Sequence, residues 1–354
     1  MAQGAAHWLH NGRMNASTAP LATHPFFSLT PDVVLDALAS VGLYGDGRLM
    51  ALSSYENRVY QVTLEDGSRV VAKFYRPERW SNAQILEEHA FAAQLMQAEV
   101  PAVGPLYLEG QTLHQYGGFA FSVSPWRGGR QPELDDWEVL EWLGRFMARI
   151  HNVGAVRPFV ARPALDLSTF GTDPQHWLLA QEVIPLDMQS SWRDACEQAL
   201  ALMVSGGPQG YRLQDASALR LHGDCHPGNI LWTPLDEYGR GGPHFVDLDD
   251  ACMGPAVQDL WMLLSGDRRQ RTGQLSALLD GYEQMRPFDR RELALIEPLR
   301  TLRLIHYSAW LARRWQDPIF PINFPWFGSS DYWRGQVDML HEQIEAMQEE
   351  PLSA

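Results

Sequence analysis

The chain has 354 residues, with 43 acidic against 28 basic side chains and a formal net charge of −15. That length holds one large domain or two lobes, at roughly 100–200 residues per domain, and the acid excess argues against a nucleic-acid partner, whose phosphates draw affinity from clustered lysine and arginine. Three unpaired cysteines, the lack of any run of about 18 apolar residues and the lack of a basic-then-apolar leader imply no disulfide framework, no membrane span and a cytoplasmic location.

Residues 1–27 carry no periodic pattern and are expected to form a mobile tail, with Met14 a candidate start. Thr30-Pro31-Asp32 then reads as the N-cap and first turn of a short helix. From about Leu49 to Val123 the pattern is mostly strand. Val59–Leu64 meets Val70–Tyr75 across Glu65-Asp66-Gly67-Ser68, where Asp-Gly marks a hairpin. A helix interrupts at about Asn82–Glu99, and two more strands are expected around Tyr107 and at Phe119–Val123. Beyond Pro125, helical spacing covers 135–152, 173–182, 191–204, 255–265, 272–286, 289–316 and 331–350. The expected fold is α+β and two-lobed. A β-rich N-lobe (28–124) is joined by a Gly-rich hinge (125–130) to a larger helical C-lobe (131–354), with the ligand cleft between them.

The chemistry concentrates in Leu221-His222-Gly223-Asp224-Cys225-His226-Pro227-Gly228-Asn229-Ile230-Leu231-Trp232. An Asp followed five residues later by an Asn is the kinase pairing of base and metal ligand. The Asp takes or orients the proton of an attacking hydroxyl, and the Asn carbonyl gives a neutral oxygen to a hard cation. Further on, His244-Phe245-Val246-Asp247-Leu248-Asp249-Asp250 reads as a strand ending in acids, after a turn at Thr233–Pro243. Asp247 falls where a second magnesium ligand belongs, although Leu248-Asp249 stands in place of Phe-Gly. A competing reading makes His222, Asp224, Cys225 and His226 a zinc or iron site, which leaves Asn229 and Asp247 without a task.

Upstream, Lys73 lies inside the apolar strand Val70–Tyr75 and matches the strand lysine that reaches the α- and β-phosphates. Ile85, Glu88, Ala92 and Leu95 form one stripe of the next helix, so Glu88 faces inward and needs a cation, for which Lys73 is the candidate. Glu87, about 100° away, is expected to be solvated. No G-x-G-x-x-G precedes the first strand. Leu52-Ser53-Ser54-Tyr55-Glu56-Asn57-Arg58-Val59 stands there, with small hydroxyl residues that let backbone N–H groups approach phosphate oxygens.

With these residues in hand, the chain resembles the aminoglycoside phosphotransferase and choline kinase superfamily, whose catalytic loop reads H-G-D-x-H-x-x-N. It is more closely similar to the bacterial stress response kinase A family (YihE/RdoA-like), serine/threonine protein kinases, from about Phe27 to the C-terminal helix. The strings that carry this are Ser54–Tyr60, Lys73–Trp80, Leu221–Trp232, Phe245–Asp250 and Gly254–Trp261. The resemblance implies a protein-kinase-like fold and ATP- and Mg2+-dependent transfer to a protein Ser/Thr hydroxyl, with autophosphorylation. It implies Asp224 as proton acceptor, Asn229 and Asp247 as Mg2+ ligands, Ser54 at the ATP site beside Lys73 and Glu88, and Asp259 as a buried brace. An alternative substrate is an amino alcohol or aminoglycoside held by Asp249 and Asp250.

Overall fold

The computed structural model describes residues 24–234, 236–237 and 241–353. Residues 1–23 of the tail expected over 1–27, and part of the turn after Thr233, lie outside the described residues. Helix α1 (Pro31–Ala39) starts on Thr30, whose hydroxyl accepts from Val33 N at 3.3 Å, with proline at the first helical position. Strands β1 (Gly45–Ala51), β2 (Arg58–Leu64), β3 (Arg69–Phe74), β4 (His114–Tyr116) and β5 (Phe119–Pro125) form one antiparallel sheet in the order β1-β2-β3-β5-β4. The period of two along β3 sends Val70, Ala72 and Phe74 into a core with Val34, Ala37 and Leu38 of α1. Phe26, expected within the tail, belongs to that core and stacks on Phe119 at 5.9 Å between centroids. Lys73 points from the opposite face and, paired with Val59 on one side and Ser122 on the other, sits in the sheet's centre rather than at its edge.

Helix α2 (Asn82–Gln97) opens on a capping box between Ser81 and Gln84. The strand expected around Tyr107 does not form. Tyr107 is exposed, and the segment keeps only a Leu108–Gln111 bridge and a bond from Leu106 N to Val123 O. Pro101, Gly104 and Pro105 explain this, since proline withholds a ladder donor and glycine weakens a strand.

The C-lobe comprises α3 (Trp137–Gly154), α4 (Asp173–Ala180), α5 (Leu186–Ser205), α6 (Val257–Trp261), α7 (Arg268–Tyr282), α8 (Ile296–Arg313), α9 (Ile319–Asn323) and α10 (Ser330–Ala346). Helices α3 and α7 touch backbone to backbone: a Cβ on Gly144 would stand 2.0 Å from Leu278 O, and one on Gly281 2.0 Å from Glu141 O. The single helix expected over 289–316 is a 3-10 turn, Arg290–Leu295, followed by α8. Pro298 accounts for the break, because proline is tolerated in a first turn but not in a helix interior. Short ladders β6 (Leu219–Leu221) with β9 (Cys252–Gly254), and β7 (Ile230–Thr233) with β8 (Gly242–Phe245), carry the motif loops. Arg130 and Trp232 exchange backbone bonds of 2.9 and 2.6 Å, fastening the linker onto β7.

Candidate active site

The loop after β6 is held from beneath. Asp259 on α6, fully buried, accepts from His222 N and Gly223 N, both at 2.9 Å, and lies 3.2 Å from His151 Nε2. Gly223 is obligatory: its φ is +86° and a Cβ would meet Asp250 O at 2.1 Å. His222 is buried, with Nε2 on Val246 O at 2.9 Å. Its ring therefore pins the strand before Asp247. Among the described residues no group of three or more His, Cys, Asp or Glu side chains is arranged to hold a metal, so the four residues of the zinc-or-iron reading do not form such a centre.

Asp224 emerges at the loop's tip. Its Oδ1 lies 2.7 Å from Arg303 Nη1 on α8, and its Oδ2 lies 3.5 Å from His226 Nε2. Burial alone would raise this carboxyl's pKa, but His226 and Arg303 outweigh it and hold the group well below the usual carboxylate range. Asn229 donates from Nδ2 to Asp224 O at 2.9 Å, and its amide oxygen takes no bond among the described residues. Asp247 has a left-handed backbone, φ 59° and ψ 63°, and a half-exposed carboxylate. An amide oxygen and a carboxylate are hard donors that fit magnesium, which relies on phosphate and water for its remaining ligands.

Opposite this loop, Lys73 Nζ lies 2.9 Å from Asp247 Oδ1 and 3.0 Å from Asp249 Oδ1. Burial would drive the lysine toward its neutral form, but the two carboxylates more than reverse this and leave its pKa well above the ordinary value. Glu88 is buried on the α2 face as expected, yet Lys73's ion pairs go to the two aspartates and Glu88 Oε2 has no hydrogen-bond partner. Burial pushes the Glu88 pKa up to about 7, with Lys73 offsetting part of the effect. Glu87 is not merely solvated: its carboxylate accepts from Val160 N, Ala161 N and Arg162 N at 2.6, 2.8 and 2.8 Å. Arg162 in turn donates to Ala251 O at 2.8 Å and to Asp249 O. One loop thus ties α2 to the acidic segment across the cleft.

The acids expected to hold a cationic substrate are already occupied. Asp249 accepts from Arg79 and from Asn57 Nδ2 (3.1 Å), besides Lys73, and Asp250 pairs with Arg79. Ser54 Oγ donates to Asn57 O at 3.3 Å within the loop that stands in the phosphate-covering position. That loop is moored to the C-lobe. Glu56 receives Trp310 Nε1 at 2.6 Å and pairs with Arg76 at 3.0 Å and with Arg314. Asp317 takes Arg58 at 2.8 Å and Arg76 at 2.6 Å, and Tyr55 packs edge-on against Phe324 with centroids 5.0 Å apart. The aromatic segment Phe320–Phe327 therefore serves as a mooring for the N-lobe loop. Glu56, Arg76, Asp317 and Arg303 were not picked out from the sequence as site residues; the runs Ser54–Tyr60 and Lys73–Trp80 were the only signal, since, the Glu56–Arg76 pair apart, their partners lie on segments far away along the chain.

The model of the phosphotransferase enzyme family matches residues 49–296. Stress response kinase A of Escherichia coli (strain K12) is 46% identical over 327 residues, covering 92% of this chain and 96% of that protein. A relative named serine/threonine protein kinase RdoA, from Salmonella typhimurium (strain LT2), has the same identity and coverage. Among solved structures, a microcompartment-associated aminopropanol kinase aligns with a TM-score of 0.66 at 17% identity, covering 90% of this chain and 98% of its own. The amicoumacin kinase hAmiN, solved with AMP-PNP, Ca2+ and Ami, gives 0.64 at 19%, covering 89% of this chain and 92% of its own. At such identities these two establish the kinase-like fold alone. The chain belongs to the stress response kinase A family, a branch of the phosphotransferase enzyme family.

Proposed function

We propose that the protein transfers the γ-phosphoryl group of ATP to serine and threonine hydroxyls of proteins, itself included, as a stress-response kinase. The observation that carries this is the pairing of Asp224 and Asn229 on one braced loop, with Lys73 and Asp247 facing each other at 2.9 Å. The names of relatives 46% identical over 92% of the chain support the protein acceptor.

In this reading adenine lies against residues near Val123–Trp126, and the phosphates lie under Ser53–Asn57. Lys73 steadies the α- and β-phosphates, and Glu88, close by and unpartnered at Oε2, is the acid to which it turns when Asp247 is otherwise engaged. Asn229 and Asp247 would hold Mg2+, which supplies charge neutralisation to the phosphate oxygens. Asp224, kept ionised by Arg303 and His226, orients the acceptor hydroxyl and receives its proton. The rate gain is then mostly positioning and charge stabilisation. Buried free thiols at Cys196, Cys225 and Cys252 agree with a reducing, cytoplasmic setting.

The alternative acceptor, an amino alcohol or aminoglycoside, would need unpaired acids in the cleft, and Asp249 and Asp250 are paired with Lys73 and Arg79. Asp247→Ala tests the proposal. Transfer to protein should disappear while the circular dichroism spectrum and melting cooperativity stay those of the wild type. Near-full turnover by this variant would exclude the assignment.

A further inference from the structure

Along α8 and its C-cap, Arg303, His306, Tyr307, Trp310 and Arg314 recur at helical spacing and share one stripe. One end of the stripe reaches Asp224, through Arg303 at 2.7 Å, and the other reaches the 52–58 loop, through Trp310 on Glu56. The stripe is cationic in character. Its histidine is no charge source, because burial and the guanidiniums of Arg313, Arg314 and Arg303 push its pKa down to about 3.

Apart from Glu88 and Asp224, the cleft's acids pair with cations other than Arg303. Glu56 is held by Arg76, Arg314 and Trp310; Asp249 by Lys73, Arg79 and Asn57; Asp250 by Arg79; Asp247 by Lys73. Arg303 differs from these cations: its bond goes to Asp224, and 44% of its side chain is exposed. Asp224 is the group that must turn an oxygen to the incoming hydroxyl. As it does so, a half-exposed guanidinium with a fork of five N–H donors loses part of its counter-charge. An acidic side chain beside the acceptor hydroxyl would complete the fork, whereas an ammonium there would face the guanidinium at short range.

We propose that Arg303 sets acceptor specificity, selecting serine and threonine hydroxyls flanked by Asp or Glu and disfavouring acceptors flanked by cations. This rests on the reading of Asp224 as the acceptor's base and of a protein as the substrate. The chain's net charge of −15 does not oppose it, because charges beyond about 8 Å are screened at physiological salt and Arg303 acts at contact distance.

The test uses the full chain with ATP and Mg2+ on peptides that carry one serine flanked by Glu, Gln or Lys. The expected ranking in kcat/KM is Glu above Gln above Lys, with about tenfold or more between the extremes, the scale of one charge-assisted contact. Arg303→Glu should reverse the ranking by raising KM for the Glu peptides, and Arg303→Lys should restore part of it. The wild-type ranking carries the test even if a variant folds poorly. Equal use of the three peptides, or a preference for Lys, overturns the specificity proposal and leaves the protein-kinase reading standing. Label on an amino alcohol with none on any peptide or on the chain itself overturns both.

Discussion

Lys73 Nζ and Asp247 Oδ1 stand 2.9 Å apart although 174 residues separate them in the chain. The contact joins the central strand of the N-lobe sheet to the acidic segment of the C-lobe, and Asp249 shares the same ammonium. On the proposed reading, replacing Lys73 with Met should lower transfer by at least about a hundredfold, the scale of losing one charge that meets the phosphates. It should also destabilise the fold, because Asp249 would stay buried without one of its cations. Single-turnover kinetics and urea denaturation of the variant check both effects.

Asp317 is a buried acid shared by two guanidiniums, Arg58 and Arg76. Asp317→Ala leaves Arg58 without a carboxylate and Arg76 with Glu56 alone, and unfolding free energy should drop by about 3–5 kcal/mol. The same change frees the Ser53–Asn57 loop from its C-lobe mooring, so KM for ATP should rise more than kcat falls. Denaturant titration and steady-state kinetics separate the two consequences.

Asp259 is fully buried, and two backbone N–H groups of the loop that carries Asp224 end on its carboxylate. Asp259→Asn offers a single acceptor oxygen and strands one of those donors, at a cost of about 1–3 kcal/mol. Transfer should fall by roughly 10- to 100-fold through misplacement of Asp224. KM for ATP should stay near the wild-type value, which a direct role in nucleotide binding would not permit.

Glu292 is 3% exposed, and burial pushes its pKa from 4.5 up to about 7, against the favourable bond from Val257 N. Between those values the native state binds more protons than the unfolded chain, so stability falls as pH rises through that window. Glu88 adds the same sign over the same range. The melting-temperature difference between Glu292→Gln and wild type should therefore grow in the variant's favour from about pH 5 to pH 8, a comparison that removes the buried His89 and His306, whose lowered pKa values act in the opposite sense. The gain at pH 8 is on the order of 2 kcal/mol. Melts of wild type and variant at both pH values decide it.

Much of the site could be read in the sequence because its signals are local. The stripe through Ile85, Glu88, Ala92 and Leu95 identified Glu88 as inward-facing, and the structure buries it. The five-residue step from Asp224 to Asn229 lies within one loop closed by a side-chain bond. Pairings between distant segments were not legible. Nothing in the Lys73 strand specifies that its ammonium rests on Asp247 and Asp249 while Glu88 keeps an unpartnered oxygen. Arg303 looked like one arginine among several on a long helix, and only the approach of α8 to the loop after β6 brings it to Asp224. The strand expected at Tyr107 failed for a local reason, the prolines that precede it, which outweighed its apolar residues.

The central claim is that Asp224 serves transfer from ATP to a protein hydroxyl. The most direct measurement incubates purified wild type and Asp224→Ala with labelled ATP and magnesium, alone and with a generic protein such as casein. Label on protein with wild type and none with the variant, both binding ATP alike, is the expected result. Equal labelling by the two proteins would contradict the assignment of Asp224, and ATP binding by wild type with no label on any protein would contradict the protein acceptor.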